Sequence, residues 1–328
     1  MNTTGRIFRV SVFGESHGEY VGAMLDGLPP GISIDHNMIR EDLLRRSPAA
    51  KWETPRHESD SYKIISGVFE GFSTGAPLVI LIKNRDAESS DYDMVKRFPR
   101  PGHADETARI KYGGFQDHRG GGMFSGRLTA PLVAAGSLAR GVIPGVSISC
   151  EVEKTGPFER GRSLTEAMER GDSVGGVIAC TVNDLPAGIG EPFFNSIESS
   201  VSSLMFSIPG VTGVSFGAGF NAPEYFGSEY IGGFDEHCVP VGSKCGGVNG
   251  GISNGTDITF KVAVRPPSTI GMEVDSFDRV SGKTAKLRFS GRHDVTFADR
   301  MPVIVEACAR LALTDLFIFS GHYGTGRR

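Results

Sequence analysis

Forty-five of the 328 residues are glycine, about twice the usual share, and they fall at the ends of short apolar runs. Neither a collagen-like period nor a repeated tract accounts for them; tight turns and close backbone approaches do. The runs at residues 7–13, 21–26, 62–69, 77–83, 146–153, 174–182, 211–216 and 258–264 are rich in β-branched and aromatic side chains and read as strands. They arrive in pairs joined by Gly-rich turns, a connection that suits antiparallel strands, since parallel neighbours need a long crossover.

Helical patterns lie between the pairs. Asp35 is placed as the N-cap of a helix ending at Arg46 before Pro48, with Ile39 and Leu43 on one face and Arg40, Glu41 and Asp42 pointing elsewhere. A small-residue segment that follows Ser125-Gly126-Arg127 and runs to Val142, with Ala134, Ala135, Gly136 and Ala139, predicts a closely packed helix. Ser163 and Glu166 form a capping-box pattern. Ile197, Val201, Leu204 and Met205 have helical spacing, and a last helix starts near Ala298, with Pro302 in its first turn where a missing N–H costs no bond. The order predicts an α+β fold with antiparallel sheets. No compositional break divides the chain, so one domain over 1–328 is expected.

Several function classes are disfavoured by composition. A net charge of −4 argues against general binding to nucleic acid or to membrane surfaces. The most apolar late stretch, 301–319, is interrupted by Glu306, Arg310 and Asp315 and reads as a buried helix, not a membrane span. Five cysteines without a C-x-x-C fit scattered thiols in a reducing compartment. With no signal peptide at the start, a cytoplasmic location is expected. Residues 84–122 read as a long polar loop. From 96 to 127 the chain carries Lys96, Arg97, Arg100, Arg109, Lys111, Arg119, Arg127, His103 and His118 against Asp105, Glu106 and Asp117. Interleaved with Pro and Gly, these cations suit a segment that receives a small polyanion.

Chemistry concentrates in four places. Gly14-Glu15-Ser16-His17-Gly18 puts a hydroxyl and an imidazole on a turn between two strands. It also fits G-x-S-x-G, but a nucleophile elbow needs a helix after the Ser, and Gly22, Gly27 and Pro29-Pro30 oppose one. Arg100-Pro101-Gly102-His103-Ala104-Asp105 sets an imidazole near a carboxylate. The Gly-rich run 246–255 exposes backbone N–H groups suited to phosphate or a flat ring. Arg292-His293-Asp294 offers an anion-binding fork, a proton shuttle and a base. Each alone also looks like a satisfied turn or a surface ion pair. Two nucleotide patterns fail: Gly282-Lys283-Thr284 lacks its upstream Gly, Phe277 standing there, and Gly217-Ala218-Gly219 meets Pro223 where a helix is required.

Taken together, the motifs resemble those of the chorismate synthase family over nearly the whole chain. The matching pieces are 14–18 through Asp26-Gly27-Leu28-Pro29, then Gly122-Met123-Phe124-Ser125-Gly126-Arg127-Leu128-Thr129, then Arg292-His293-Asp294-Val295-Thr296 through Glu306-Ala307. Arg100 to Asp105, Ser66-Gly67-Val68-Phe69-Glu70-Gly71 and the run 250–255 match as well. The resemblance implies a β-α-β sandwich, with helices between antiparallel sheets, assembled as a homotetramer. It implies a lyase that converts 5-enolpyruvylshikimate 3-phosphate to chorismate by 1,4-elimination, using reduced FMN without net redox change.

The resemblance also implies roles. His17 would protonate the departing phosphate beside Ser16, His103 would stabilise the reduced flavin, and Asp294 would help flavin N5 take up the substrate proton, with Ser125 in the catalytic set. FMN contacts would come from Met123, Phe124, Ser125, Pro209, Gly210, Gly250, Arg265, Pro266, Pro267, Ser268, Thr269 and Arg292. A substrate with two carboxylates and a phosphate suits Arg45, Arg46, Lys51, Arg100 and Arg127 as clamps. Lys51 stands where the family often has Arg, a point charge in place of a fork. Met123 replaces a residue that is often polar, and Arg265-Pro266-Pro267 replaces a Lys-Pro-Thr-like run. No nicotinamide-binding domain is recognisable, so an external flavin reductase, and not NADPH bound by this chain, is the expected source of reduced FMN. The rival is a non-catalytic flavin- or anion-binding relative; the presence of His17, His103, Ser125, Arg127 and Asp294 weighs against it.

Overall fold

Two antiparallel sheets enclose a layer of helices. The computed structural model describes residues 2–53, 60–85, 93–289 and 294–322. The first sheet contains β1 (Thr3–Thr4), β2 (Arg9–Gly14), β3 (Tyr20–Asp26), β4 (Tyr62–Ser66) and β5 (Leu78–Lys83), in the order β1-β2-β3-β5-β4. The second contains β6 (Ser147–Thr155), β7 (Gly176–Asn183), β8 (Val211–Phe216) and β9 (Ile258–Val264), in the order β8-β9-β7-β6. Alternation along β5 and β9 buries one face of each strand, Leu78, Ile80 and Ile82 in one case and Ile258, Phe260, Val262 and Val264 in the other. Burying such side chains is worth about 1.5–3 kcal/mol each, so these faces need a cover.

The helices supply it. α1 (His36–Arg46), α4 (Thr129–Ala139), α6 (Ile197–Ser207) and α7 (Met301–Phe319) pack on one another; α4 lies on β3 and β5, and α7 on β6 and β7. All eleven residues of α4 are buried, as expected of a helix covered on every side. Its small residues permit this. A Cβ on Gly136 would come within 2.6 Å of Ala307 Cα, so the α4 and α7 backbones touch there. The N-cap of α1 is Asp35, which accepts from the backbone N–H of Asn37 and Met38. Among the described residues no helix is long and apolar enough to cross a membrane.

Three local expectations are corrected. The stretch expected to be a loop contains α2 (Asp93–Arg97) and α3 (Asp105–Tyr112), short helices whose polar faces hid their period. α5 spans Arg160–Arg170 and is capped by Glu159, not Ser163; Ser163 is buried inside it and accepts from the Phe158 N–H at 3.0 Å. Asp42 is buried, because Ser137, Arg140 and Arg45 all donate to it. The two nucleotide patterns are decoys here as well: Gly282 closes the hairpin of Val274–Asp278 with Lys283–Leu287, and Gly217 leads into the short 3-10 turn Gly219–Glu224.

Candidate active site

β2 and β3 form a hairpin, and residues 15–19 are the connection that carries Ser16 and His17. A strand, not a helix, follows the Ser, so the elbow geometry is absent from this turn. Ser16 and His17 are 1% and 8% exposed. Two neighbours fix the turn. The Ser16 N–H donates to Gly122 O at 3.1 Å, and Asn84 Nδ2 donates to the carbonyls of Glu15 (3.0 Å) and Gly18 (2.7 Å).

Opposite this turn runs Gly120-Gly121-Gly122, all three with positive φ, a region that disfavours any side chain. Space forbids one too. A Cβ on Gly120 would lie 2.3 Å from His17 Cδ2 and 2.8 Å from Ser16 Oγ. A Cβ on Gly121 would lie 3.0 Å from His103 Cε1 and 3.3 Å from its Nε2. Adjacent peptide units therefore carry the two imidazoles on their surface, although 86 positions separate them in sequence.

His103 is held by its own motif. Asp105, the first residue of α3, reaches back and accepts from the Arg100 N–H (2.9 Å), Arg100 Nε (2.9 Å) and Arg100 Nη2 (2.8 Å), with His103 Nδ1 2.8 Å away. A carboxylate at Nδ1 makes that nitrogen the protonated one in the neutral ring and leaves Nε2 on the Gly121 side. Burial works to raise the Asp105 pKa, but the bonds from Arg100 and His103 outweigh it and hold the carboxyl well below its usual range.

The cations converge on Asp60. Arg46 at the end of α1 and Arg127 just before α4 both ion-pair with this carboxylate, and Arg46 Nε donates to it at 3.1 Å. Arg127 Nε also donates to Asn84 Oδ1 at 2.9 Å, so Asn84 ties the Ser-His turn to the guanidinium pair. Burial lowers the Arg46 pKa; Asp60 opposes the shift, while the nearby charges of Arg127 and Arg300 add to it. Two guanidiniums thus share one carboxylate, with Arg300, itself paired with Asp294 and Glu53, close enough to act on Arg46; guanidinium forks of this kind suit a polyanion.

The other expected site residues are placed as follows. Arg45 does not share Asp60: its guanidinium forks Glu306 on α7 at 2.8 Å through each nitrogen, which raises its pKa further. Lys51 is exposed in the turn after α1. Asp294 pairs with Arg300 at 2.7 Å, and Arg300 reaches Glu53 at 3.0 Å. Ser125 Oγ accepts from the Arg127 N–H at 3.3 Å. Met123 and Phe124 lie beside Tyr112, whose hydroxyl is 3.9 Å from Met123 Sδ and whose ring is tilted against that of Phe124. The segment Arg265, Pro266, Pro267, Ser268 and Thr269 meets both Gly210, whose O accepts from the Arg265 N–H at 2.8 Å, and the His103 loop, since a Cβ on Gly102 would lie 3.3 Å from Ser268 Cβ. Pro209 precedes Gly210 in that turn, and Phe297 packs against Gly210. Gly250 is instead at a hairpin tip whose next residue, Gly251, abuts Glu191 and Ser196. Arg292 and His293 lie outside the described residues.

Reduced FMN can be tested against these groups. Ser16 Oγ is a buried hydroxyl with no hydrogen-bond partner among the described residues, the state of a group waiting for a ligand. The Gly120–Gly121 backbone packs directly against Ser16, His17 and His103, and Met123, Phe124 and Tyr112 offer apolar surface for a ring. The residues present fit the group. Sequence reasoning missed Asp60, Asn84 and Arg300 as members of this cluster. The available signals were an Asn directly after an apolar strand and an Asp closing a basic loop.

Comparison with known proteins places the chain in a family. The chorismate synthase family model matches residues 8–318. The chorismate synthase of Chitinophaga pinensis is 46% identical, covering 97% of each chain, and that of Dehalococcoides mccartyi is 38% identical over 98% of this chain and 97% of its own. A crystal structure of chorismate synthase superposes with a TM-score of 0.73 over 96% of this chain and 93% of that one. At 24% identity that likeness speaks for the fold alone. By the match over nearly its full length and by these relatives, the chain belongs to the chorismate synthase family.

Proposed function

We propose that this protein, read as one chorismate synthase-like domain over 1–328, converts 5-enolpyruvylshikimate 3-phosphate to chorismate and phosphate by 1,4-elimination in the presence of reduced FMN. One observation carries the reading: two glycines with positive φ hold His17 and His103 on adjacent peptide units, next to a cluster of arginines. Arg46 and Arg127 bind the phosphate and carboxylates of the substrate, with Asp60 holding both guanidiniums in place. Arg100 is committed to Asp105, so it orients His103 and adds positive charge at the rim. His17 gives a proton to the departing phosphate oxygen, a transfer that imidazole makes well near neutral pH. Ser16 Oγ offers a further donor at the same turn.

Met123, Phe124, Ser125, Pro209, Gly210, the segment 265–269 and Arg292 would hold the flavin, with His103 Nε2 toward it and Asp294 fixed by Arg300. When bound, reduced FMN supplies an electron-rich ring that eases loss of an allylic phosphate and of the ring proton, with no net redox change. We take that flavin to come from an external reductase. The homotetramer belongs to the same reading: Phe193, Phe194, Phe220, Phe226 and Phe234 are 69–89% exposed, the kind of apolar surface that assembly covers. The five free cysteines fit a cytoplasmic location.

The test is a product assay on the purified protein with substrate and chemically reduced FMN. Chorismate and phosphate in equal amounts support the reading. A protein that binds FMN and releases no phosphate is a binding relative, and the reading fails.

Asn84 gives a finer check. Asn84→Asp keeps the acceptor for Arg127 but turns two donors toward the Ser-His turn into lone pairs facing carbonyls. Turnover should fall by about 10²-fold, the usual cost of a misplaced catalytic group, while KM changes little. Steady-state kinetics that show unchanged kcat would remove Asn84 from the site.

A further inference from the structure

The turn after α1, residues 49–53, grips the segment 294–300 at three points. Trp52 O accepts from the Val295 N–H at 2.9 Å, on the peptide that follows Asp294, and Val295 O accepts from the Val174 N–H at 2.8 Å. Trp52 Nε1 donates to Asp299 Oδ2 at 2.8 Å, while Arg160 Nη2 donates to Asp299 Oδ1 at 2.7 Å. Glu53 Oε1 lies 3.0 Å from Arg300 Nε. Neither Trp52 nor Glu53 lies in the motifs that carry the family resemblance.

Glu53 is buried, and its Oε2 is spent on the turn itself, accepting from the N–H groups of Ala49 (2.8 Å) and Ala50 (3.0 Å). That leaves Oε1 for Arg300. The contact is an ion pair and not an aligned hydrogen bond, since neither Glu53 Oε1 nor Arg300 Nε has a hydrogen-bond partner among the described residues. So the hold on Arg300 is one of charge. The Glu53 and Arg300 side chains are only 2% and 16% exposed, and attraction between charges is stronger where water is kept out.

Arg300 divides its charge. Its Nη2 pairs with Asp294 Oδ2 at 2.7 Å on the side away from Nε, and its charge also acts on Arg46, the partner of Asp60. Three guanidiniums, of Arg46, Arg127 and Arg300, are thus matched by three carboxylates, of Asp60, Glu53 and Asp294. Taking away the Glu53 charge tips this balance by one toward the cations. Arg300 then falls back on the remaining carboxylates, and Asp294 is the one it already touches.

We propose that Glu53 and Trp52 are positioning residues for Asp294. Glu53 takes a share of the Arg300 charge, so that Asp294 is oriented by a guanidinium without being neutralised by a whole one. Trp52 fixes the peptide after Asp294 and the carboxylate before Arg300. The inference rests on the role given to Asp294 above, help in moving the substrate proton to the flavin.

The experiment is a double-mutant cycle on the full chain, assayed with substrate and reduced FMN. Glu53→Gln keeps an acceptor for Ala49 and Ala50 but loses the charge. It should lower kcat by about 10–10²-fold, the scale on which a displaced reacting group loses rate, with KM for the substrate nearly unchanged. In an Asp294→Asn background the same change should cost almost nothing more, because coupled residues are not additive. Trp52 is the only tryptophan, so its emission, read before flavin is added, should match the wild type in Glu53→Gln and show the turn still seated. Trp52→Phe keeps every charge and loses the bond to Asp299; it should give a smaller loss of kcat, again only while Asp294 is present, and it carries the test if Glu53→Gln does not fold. An unchanged kcat in Glu53→Gln, or a loss by the same factor in both backgrounds, would overturn the proposal and leave the role of Asp294 standing. Asp294→Asn as fast as the wild type would overturn both.

Discussion

His17→Ala should lower turnover by ~10²–10⁴-fold, the range expected when a positioned general acid is removed. The change should leave the absorbance spectrum of bound reduced FMN nearly as it is in the wild type. His103→Ala should be slow as well, for a different reason. Its imidazole is oriented by Asp105, which lies 2.8 Å from Nδ1 and is itself held anionic by Arg100. Removing that ring takes away a group whose protonated form favours the flavin anion, so the apparent pKa of bound reduced flavin should rise. A pH titration of the reduced-flavin spectrum, with substrate or product present, separates the two. If the flavin pKa moves in His17→Ala and stays in His103→Ala, the two roles are reversed.

Asp60→Ala should destabilise the fold by about 3–5 kcal/mol, the usual cost of removing one partner from a buried ion pair. Here a single carboxylate serves two guanidiniums, those of Arg46 and Arg127, and both lie buried. Asp60 also has φ +42°, so Ala adds backbone strain to the lost charge. Asp60→Asn separates the effects, because Asn tolerates this conformation while losing the charge. Urea unfolding of the three proteins gives the difference. Added phosphate should stabilise Asp60→Asn more than the wild type, since it replaces the missing anion between the same arginines. A variant within 0.5 kcal/mol or so of wild type would show that Asp60 does not hold the pair.

Most strands and helices were legible because their signals are local. β8 and β9 match the apolar runs at 211–216 and 258–264 residue for residue, and Asp35 caps α1 as its side chain and position imply. α3 escaped because only Ala108 in it is buried; a helix with one buried residue has no apolar period to read. Ser163 was misplaced as a cap because its hydroxyl is used inside a turn that Glu159 starts. The resemblance supplied the site motifs, but the geometry that joins them was not legible. Nothing in Gly120-Gly121-Gly122 states that one glycine faces His17 and the next His103. Nor does the sequence say that Arg46 turns to Asp60 while its neighbour Arg45 turns to Glu306; one residue along a helix rotates the side chain by about 100°, and tertiary partners decide the rest.

The central claim is an elimination that leaves the flavin unchanged, driven by groups this chain supplies. Phosphate release from 5-enolpyruvylshikimate 3-phosphate, followed without oxygen and with reduced FMN at a small fraction of the substrate concentration, tests it most directly. The expected result is many phosphates released per flavin, with the flavin still reduced at the end and no release when it is left out. One flavin oxidised per phosphate released, or release at the same rate without flavin, would contradict it.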